Sequence, residues 1–237
     1  MSKLVWGVGV NDLGYRVHVR EWVTKDGGKR TREIVFTCPY YAAWKNMLVR
    51  CYSKKYLESR PSYVGTSVCS EWVYASEFKK WMEQQDWEGK CLDKDIIAPG
   101  SKLYSPETCA FVLKATNSFV LARDASRGEF PIGVSLFKPT GKYRARCNNP
   151  FTVEQEHLGY FLTPEEAHEA WRKRKHELAQ LVADTESDPR VVEALKKKYS
   201  FEEWYKSITP PLGRSLEQNI DTCYDVYTPP YFTIFAV

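Results

Sequence analysis

The stretch LDKDIIAPGSKLYSPETCAFVLKATN, Leu92 to Asn117, sets the centre of the fold. Leu92 to Ile97 mixes apolar and charged residues in the manner of a short strand. Ala98 to Lys102 carries the Pro-Gly pair of a turn. Cys109 to Leu113 is a small apolar run of strand type, and a helix is expected to open at Asn117 and run towards Arg123. Strand alternation places Asp93, Asp95 and Ile97 on one face and Lys94 on the other. Asp93 and Asp95 are the carboxylates of the segment that suit a Mg²⁺ ion. The four histidines of the chain are His18, His157, His168 and His176, so none lies between residues 19 and 156.

Towards the N-terminus, Val5 to Val10, Tyr15 to Val23 and Arg32 to Phe36 are rich in β-branched and aromatic residues. They predict a three-stranded meander with glycine-bearing turns at Asn11 to Gly14 and Lys25 to Lys29. Thr37 is expected to cap the following helix, with Pro39 in its first turn and Tyr41, Trp44, Leu48 and Cys51 as its apolar stripe. Another helix is expected from Ser76 to Gln85, with Phe78, Trp81 and Met82 inward. Ser126 to Glu129 reads as a linker.

Beyond that linker IGVSLF, KYRARC and HLGYF predict three strands, and TPEEAHEAWRKRKHELAQLVAD a helix. Thr163 is its N-cap, Pro164 takes the first helical position and Glu166 completes a capping box. Ala167, Ala170, Trp171, Leu178 and Leu181 are expected to face inward, with Arg172, Lys173 and Lys175 mostly outside that face. Asp188-Pro189 starts a last helix to about Tyr199. The tail after Pro210 reads as irregular, and its apolar end YFTIFAV as a strand or a partner contact.

The fold class that results is α+β, with small antiparallel three-stranded sheets each packed on a helix around a central ββα unit. Four regions are expected: a basic βββα module over 1–60, the hairpin and helix over 61–125, a second βββα module over 130–184, and a helix and tail over 187–237. Gly9-Val10, Tyr15-Arg16 and FTCPYYAAW parallel Gly133-Val134, Tyr143-Arg144 and FLTPEEAHEAW, the pattern of an internal duplication.

With 43% hydrophobic and 27% charged residues over 237 positions, the chain has the composition of a globular protein. No apolar run approaches the roughly 18 to 20 residues that span a bilayer, and MSKLVWGVGV lacks the layout of a secretion signal. A cytoplasmic protein with no membrane partner is expected. Seven cysteines, an odd number without a CxxC pair, argue against a disulfide framework or a zinc ribbon. Reduced, mostly buried thiols are expected, the alternative being a zinc site drawn from Cys69, Cys91 and Cys109. Residues 1–60 hold twelve Lys and Arg against five Asp and Glu, a surplus of seven positive charges where the whole chain has a net +4. Such a basic end suits a polyanion, with Arg16, Arg20 and Arg32 adding affinity that does not depend on sequence.

The segment GVSLFKPTGKYRARC…HLGYFLTPEEAHEAW resembles the DNA-binding domain of plant ethylene-response factors, over Ile132 to about Ala183. The resemblance implies a three-stranded sheet laid in the major groove of double-stranded DNA and backed by a helix. Arg144, Arg146, Lys142 and Lys138 would then engage the groove or the phosphates. The family has an acidic residue at the position of Arg146 and basic residues near Ser135 and Phe137, so a different base-reading pattern is expected.

The stretch from Tyr41 to Asn117, through WxxMxxRCY, EWxxxxxFxxWM and LDKD…YSPETCAFV…N, resembles the HNH (His-Me finger) homing endonucleases of phages. That family holds one divalent metal on a hairpin and helix and deprotonates water with a histidine at the end of the first strand. Lys94 stands at the histidine position, Tyr104-Ser105 at that of an Asn pair and Cys109 at that of a further Asn, leaving Asn117 as the family-like polar residue. The expectation is a phage-type double-stranded DNA-binding protein of the bacterial cytoplasm, derived from such an endonuclease, without standard nuclease activity and without a cofactor. One alternative is a Mg²⁺-dependent nicking endonuclease with Asp93, Lys94, Asp95 and Asn117 as catalytic residues and Asp93 and Asp95 on the metal. Another is a phage effector that binds a host protein.

Overall fold

Strands β1 (His18–Thr24) and β2 (Arg30–Thr37) pair antiparallel as a hairpin, with Trp22 opposite Arg32 and Arg20 opposite Ile34. Val19 then faces Phe36, so Val35 is an extra residue that bulges β2. The computed structural model describes residues 4–25, 27–121 and 129–200, all within one compact unit, Met1–Ser200. Residues 122–128, Cys223, the tail after Pro210 and YFTIFAV lie outside the described residues, and with them most of the expected linker and the end of the helix expected to reach Arg123.

The N-terminal sheet has two strands, not the expected three. Val5 to Val10 makes two isolated bridges instead, Val5 to Gly9 and Val10 to Tyr74. The physical reason lies at Gly9, where a Cβ would stand 2.3 Å from Leu48 Cδ1 and 2.7 Å from the Trp44 ring. The segment is pressed against helix α1 (Pro39–Tyr52) and is not free to pair along β1. Tyr41, Trp44, Leu48 and Cys51 are buried on α1 as the stripe predicts, but its N-cap is Cys38. Thr37 stays in β2, its Oγ1 hydrogen-bonded to His18 Nδ1 at 3.0 Å. A short helix α2 (Lys54–Ser59) follows, and α3 (Ala75–Met82) buries Phe78 and Met82.

In the centre, β3 (Ser67–Val68) runs parallel to β5 (Leu103–Tyr104). The strand β4 (Cys91–Asp93) pairs antiparallel with β6 (Ala110–Val112), and helix α4 (Lys114–Val120) follows, so the order β, β, α is present. β4 ends at Asp93, four residues short of the expected Ile97, because the Asp93 side chain accepts the amides of Asp95 and Ile96 and turns the chain. β6 is buried along its whole length and divides the interior. Phe111 joins a cluster with Trp44, Trp72 and Phe78, while Ala110 and Val112 join one with Phe119, Trp171 and Leu195. A strand walled on both sides needs a continuous apolar run, which is what CAFVL supplies.

The last module matches its expectation closely. β7 (Val134–Phe137), β8 (Lys142–Asn148) and β9 (Gln155–Phe161) form an antiparallel sheet in the order β7-β8-β9, backed by α5 (Pro164–Ala183) with the Thr163–Glu166 capping box. Helix α6 (Pro189–Lys197) is capped by Asp188 and packs on α5. The buried face of α5 is wider than one stripe and rotated from the expected one. Leu181 is 51% exposed, whereas Arg172 and Lys175 are buried. The cause is a second layer: α6 and Phe119 cover the side of α5 away from the sheet, with Arg172 donating to the Tyr199 carbonyl at 2.8 Å and Lys175 to that of Phe119 at 2.8 Å. No described helix is long and apolar enough to cross a membrane.

Candidate functional site

The central hairpin brings Asp93, Lys94 and Asp95 into one turn. Lys94 is 5% exposed. Its Nζ donates to Asp95 Oδ1 at 2.6 Å and to the Ser101 carbonyl at 2.7 Å, and it stands 5.9 Å from the ring centres of both Tyr63 and Tyr104. It is not across the strand from Asp95, since the chain has already turned. The Lys94 ammonium holds the 95–101 loop closed with two of its three N–H groups, and as an ammonium it has no lone pair with which to take a proton from water.

Asp93 Oδ1 is occupied by the amides of Asp95 and Ile96, both at 2.8 Å. Burial holds the Asp93 carboxyl above the usual carboxylate range, against those two amides, which pull it down. Arg50 donates to the Leu92 carbonyl at 3.1 Å from the helix beside it. Burial also pulls Lys198 below the ordinary lysine range, while the nearby charges of Asp93 and Asp95 push it up. One oxygen of each carboxylate is thus met from within the turn, Asp93 Oδ1 by two amides and Asp95 Oδ1 by Lys94. Among the described residues no group of three or more His, Cys, Asp or Glu is placed to hold a metal.

Of the other motif residues, Tyr104 faces Lys94 in this turn. Tyr104 and Cys109 are fully buried, and Ser105 closes a tight loop by accepting the Cys109 amide at 3.0 Å. Asn117 lies half-buried in α4, which touches β4. Burial pushes the Cys51 and Cys109 thiols up to about 12, so both are inert at neutral pH. All six described cysteines are free, four of them buried.

The second constellation is the outer face of the sheet β7–β9. Ala145 and Cys147 are buried towards α5, so the alternating Lys142, Arg144 and Arg146 project from the other side. Across the strands, Arg144 sits between Ser135 and Tyr160, and Arg146 faces His157. Arg144 Cζ lies 5.7 Å from the Phe137 ring, which in turn is 4.9 Å from Tyr160. Lys138 is exposed in the adjoining turn. None of Lys138, Lys142, Arg144 and Arg146 forms an ion pair with a described residue. Arg144 Nε and Ser135 Oγ, on residues paired across β7 and β8, are shielded by protein and have no hydrogen-bond partner among the described residues.

Glu156 is the one carboxylate in these three strands. It pairs with Cys147 on the helix side and is held by Arg174 of α5 at 2.6 and 2.9 Å. The outer face therefore carries no acidic side chain. At the other end of the chain Arg16, Arg20 and Arg32 line one shallow depression with Val17, His18 and Val19.

The alternation of KYRARC announces the parity of Arg144 and Arg146 in advance. Ser135, Phe137, His157 and Tyr160 join them only through the pairing register, which the sequence does not print. The partners of Lys94 were likewise hidden, because Tyr63 and Ser101 come from separate loops. No protein-family model, no curated protein and no solved structure matches the chain.

Proposed function

We propose that this chain binds double-stranded DNA through the outer face of β7–β9 and does not cut what it holds. The observation that carries this reading is a cationic sheet face free of carboxylates, with Lys142, Arg144 and Arg146 in no ion pair among the described residues and the single acid of the strands turned away. A narrow β-ribbon fits the major groove, and arginine is the side chain best shaped to grip a guanine edge. Residues two apart on a strand are separated by about 6.8 Å, close to two base-pair steps, so Arg144 and Arg146 are spaced to meet bases along one groove. The non-catalytic half of the reading rests on Lys94 Nζ and Asp93 Oδ1, which hold the hairpin turn.

The test is fluorescence anisotropy with labelled duplex DNA over a salt series. Affinity is expected to fall steeply as salt rises, because phosphate contacts release counterions. Arg144→Ala with Arg146→Ala is expected to lose about 1 to 3 kcal/mol for each base-contacting arginine while keeping the fold. No binding at low salt, or binding untouched by the double substitution, would overturn the assignment. Supercoiled plasmid is expected to stay intact with Mg²⁺, both for the wild type and for Lys94→His. Nicking that Asp93→Ala or Asp95→Ala abolishes would restore the endonuclease reading.

A further inference from the structure

The hairpin β1–β2 has two chemically different faces. Following the register, Arg20, Trp22, Arg30, Arg32 and Ile34 share one face, while Val19, Glu21, Thr31, Glu33 and Phe36 share the other. Both carboxylates of the hairpin strands fall on the second face, where Glu33 is tied to Lys25 at 2.6 Å. On the first face the Trp22 indole is 61% exposed, with the Arg30 guanidinium 5.7 Å from its ring centre and Arg32 directly opposite in the pairing. Arg16 joins Arg20 and Arg32 along the depression at its foot.

We infer that this face is a binding site for single-stranded nucleic acid, with a base stacking on Trp22 and Arg16, Arg20 and Arg32 engaging the phosphates on either side of it. The charge argument is complementarity: arginines without a carboxylate among them suit a polyanion. The choice of a single strand comes from the indole. A duplex keeps its base faces inside the stack, so an exposed ring gains little from one. An unpaired base presents its whole face, and a ring flanked by arginines is the usual platform for it. The ligand class and the surface both differ from those of the β7–β9 face, so the inference does not rest on the duplex reading.

The experiment uses the full chain and a fluorescein-labelled dT₂₀ oligonucleotide, with a random duplex of equal length beside it. Trp22→Ala is expected to weaken dT₂₀ binding by about 5- to 150-fold, the effect of losing one stacked base, and Trp22→Phe to recover most of it. Because Trp22 is exposed, thermal unfolding of both variants is expected to match the wild type. Arg20→Ala with Arg32→Ala is expected to lower dT₂₀ affinity and flatten its salt dependence. Arg144→Ala with Arg146→Ala is expected to leave dT₂₀ binding unchanged, which separates this site from the sheet face. The inference is overturned if dT₂₀ does not bind, if Trp22→Ala binds it as the wild type does, or if Trp22→Ala weakens the duplex by the same factor.

Discussion

Two glycines lie against two tryptophans at opposite ends of the described chain, and the structures built on those contacts differ. Gly9 packs on Trp44 of α1, and Gly133 on Trp171 of α5, where a Cβ would stand 2.1 Å from the ring. Around Gly133 a three-stranded sheet lies on its helix through the small residues Ala145 and Cys147. Around Gly9 only a two-stranded hairpin forms, and Val19, Trp22, Ile34, Val35 and Phe36 remain exposed on it. β1 and β2 hold no Gly, Ala, Ser or Cys towards which a helix could close. Strand propensity thus predicts extended backbone in both modules, but the size of the side chains on one face decides whether a helix can cover it.

The comparison is broken or sharpened first by removing the anchors. Trp171→Ala and Trp44→Ala are each expected to cost about 3 to 5 kcal/mol in urea denaturation. Trp44→Ala should be the larger, since the ring is 0% exposed and its Nε1 donates to the Trp72 carbonyl at 2.8 Å, which would be left buried without a partner. Gly9→Ala and Gly133→Ala probe the same contacts from the other side, at about 1 to 3 kcal/mol each through overpacking. Gly133→Ala should lead, because that residue also has φ +83. A loss under about 1 kcal/mol for either tryptophan would show that its glycine contact is incidental.

What the sequence told in advance follows the same division. Thr163, Pro164, Glu166 and the three strands before them are local signals, readable within a few residues, and they fall where expected. Val5 to Val10 has the same local signal but is redirected by the long-range contact of Gly9 with α1. The pattern of α5 alone shows one stripe and puts Lys175 and Arg172 outside it, and the layer that covers its other side comes from α4, α6 and Tyr199. At the central turn the residue types were legible and their partnerships were not. Lys94 finds Tyr63 and Ser101 only after the chain has folded back.

Acid separates the two modules by a smaller effect. Arg174 and then Asn149 hold the Glu156 carboxyl down to about 2 from 4.5. A carboxylate depressed in the folded state contributes stability above its unfolded pKa and loses it as pH falls through the folded one. The β7–β9 module should therefore weaken between about pH 4.5 and 2, and Arg174→Met should remove the larger part of that slope, leaving the part held by Asn149. In the hairpin, Glu33 is lowered mainly by Lys25, but its side chain is 40% exposed and water screens the pair. Lys25→Met is accordingly expected to leave the acid transition, followed by circular dichroism, where it was.

The smallest expected effect lies at alkaline pH and belongs to the C-terminal module alone. Burial brings Lys175 down from 10.5 to about 8, with Lys198 acting in the same direction and Cys147 against it. Its ammonium has the Phe119 carbonyl at 2.8 Å and the Phe119 ring at 3.4 Å, contacts that offset only part of the lost hydration. Below about pH 8 the lysine is protonated in both states and its burial is a penalty. Between about pH 8 and 10.5 the unfolded chain binds more protons than the folded one, so this group makes stability rise with pH. Buried tyrosines and thiols titrate over the same range with the opposite sign, so the quantity to measure is the wild-type stability minus that of Lys175→Met. That difference should climb from pH 7 to pH 10. A flat difference would mean that the Phe119 carbonyl and ring replace the hydration of the charge in full, and that α4 and α5 are joined there by a cation held at no cost.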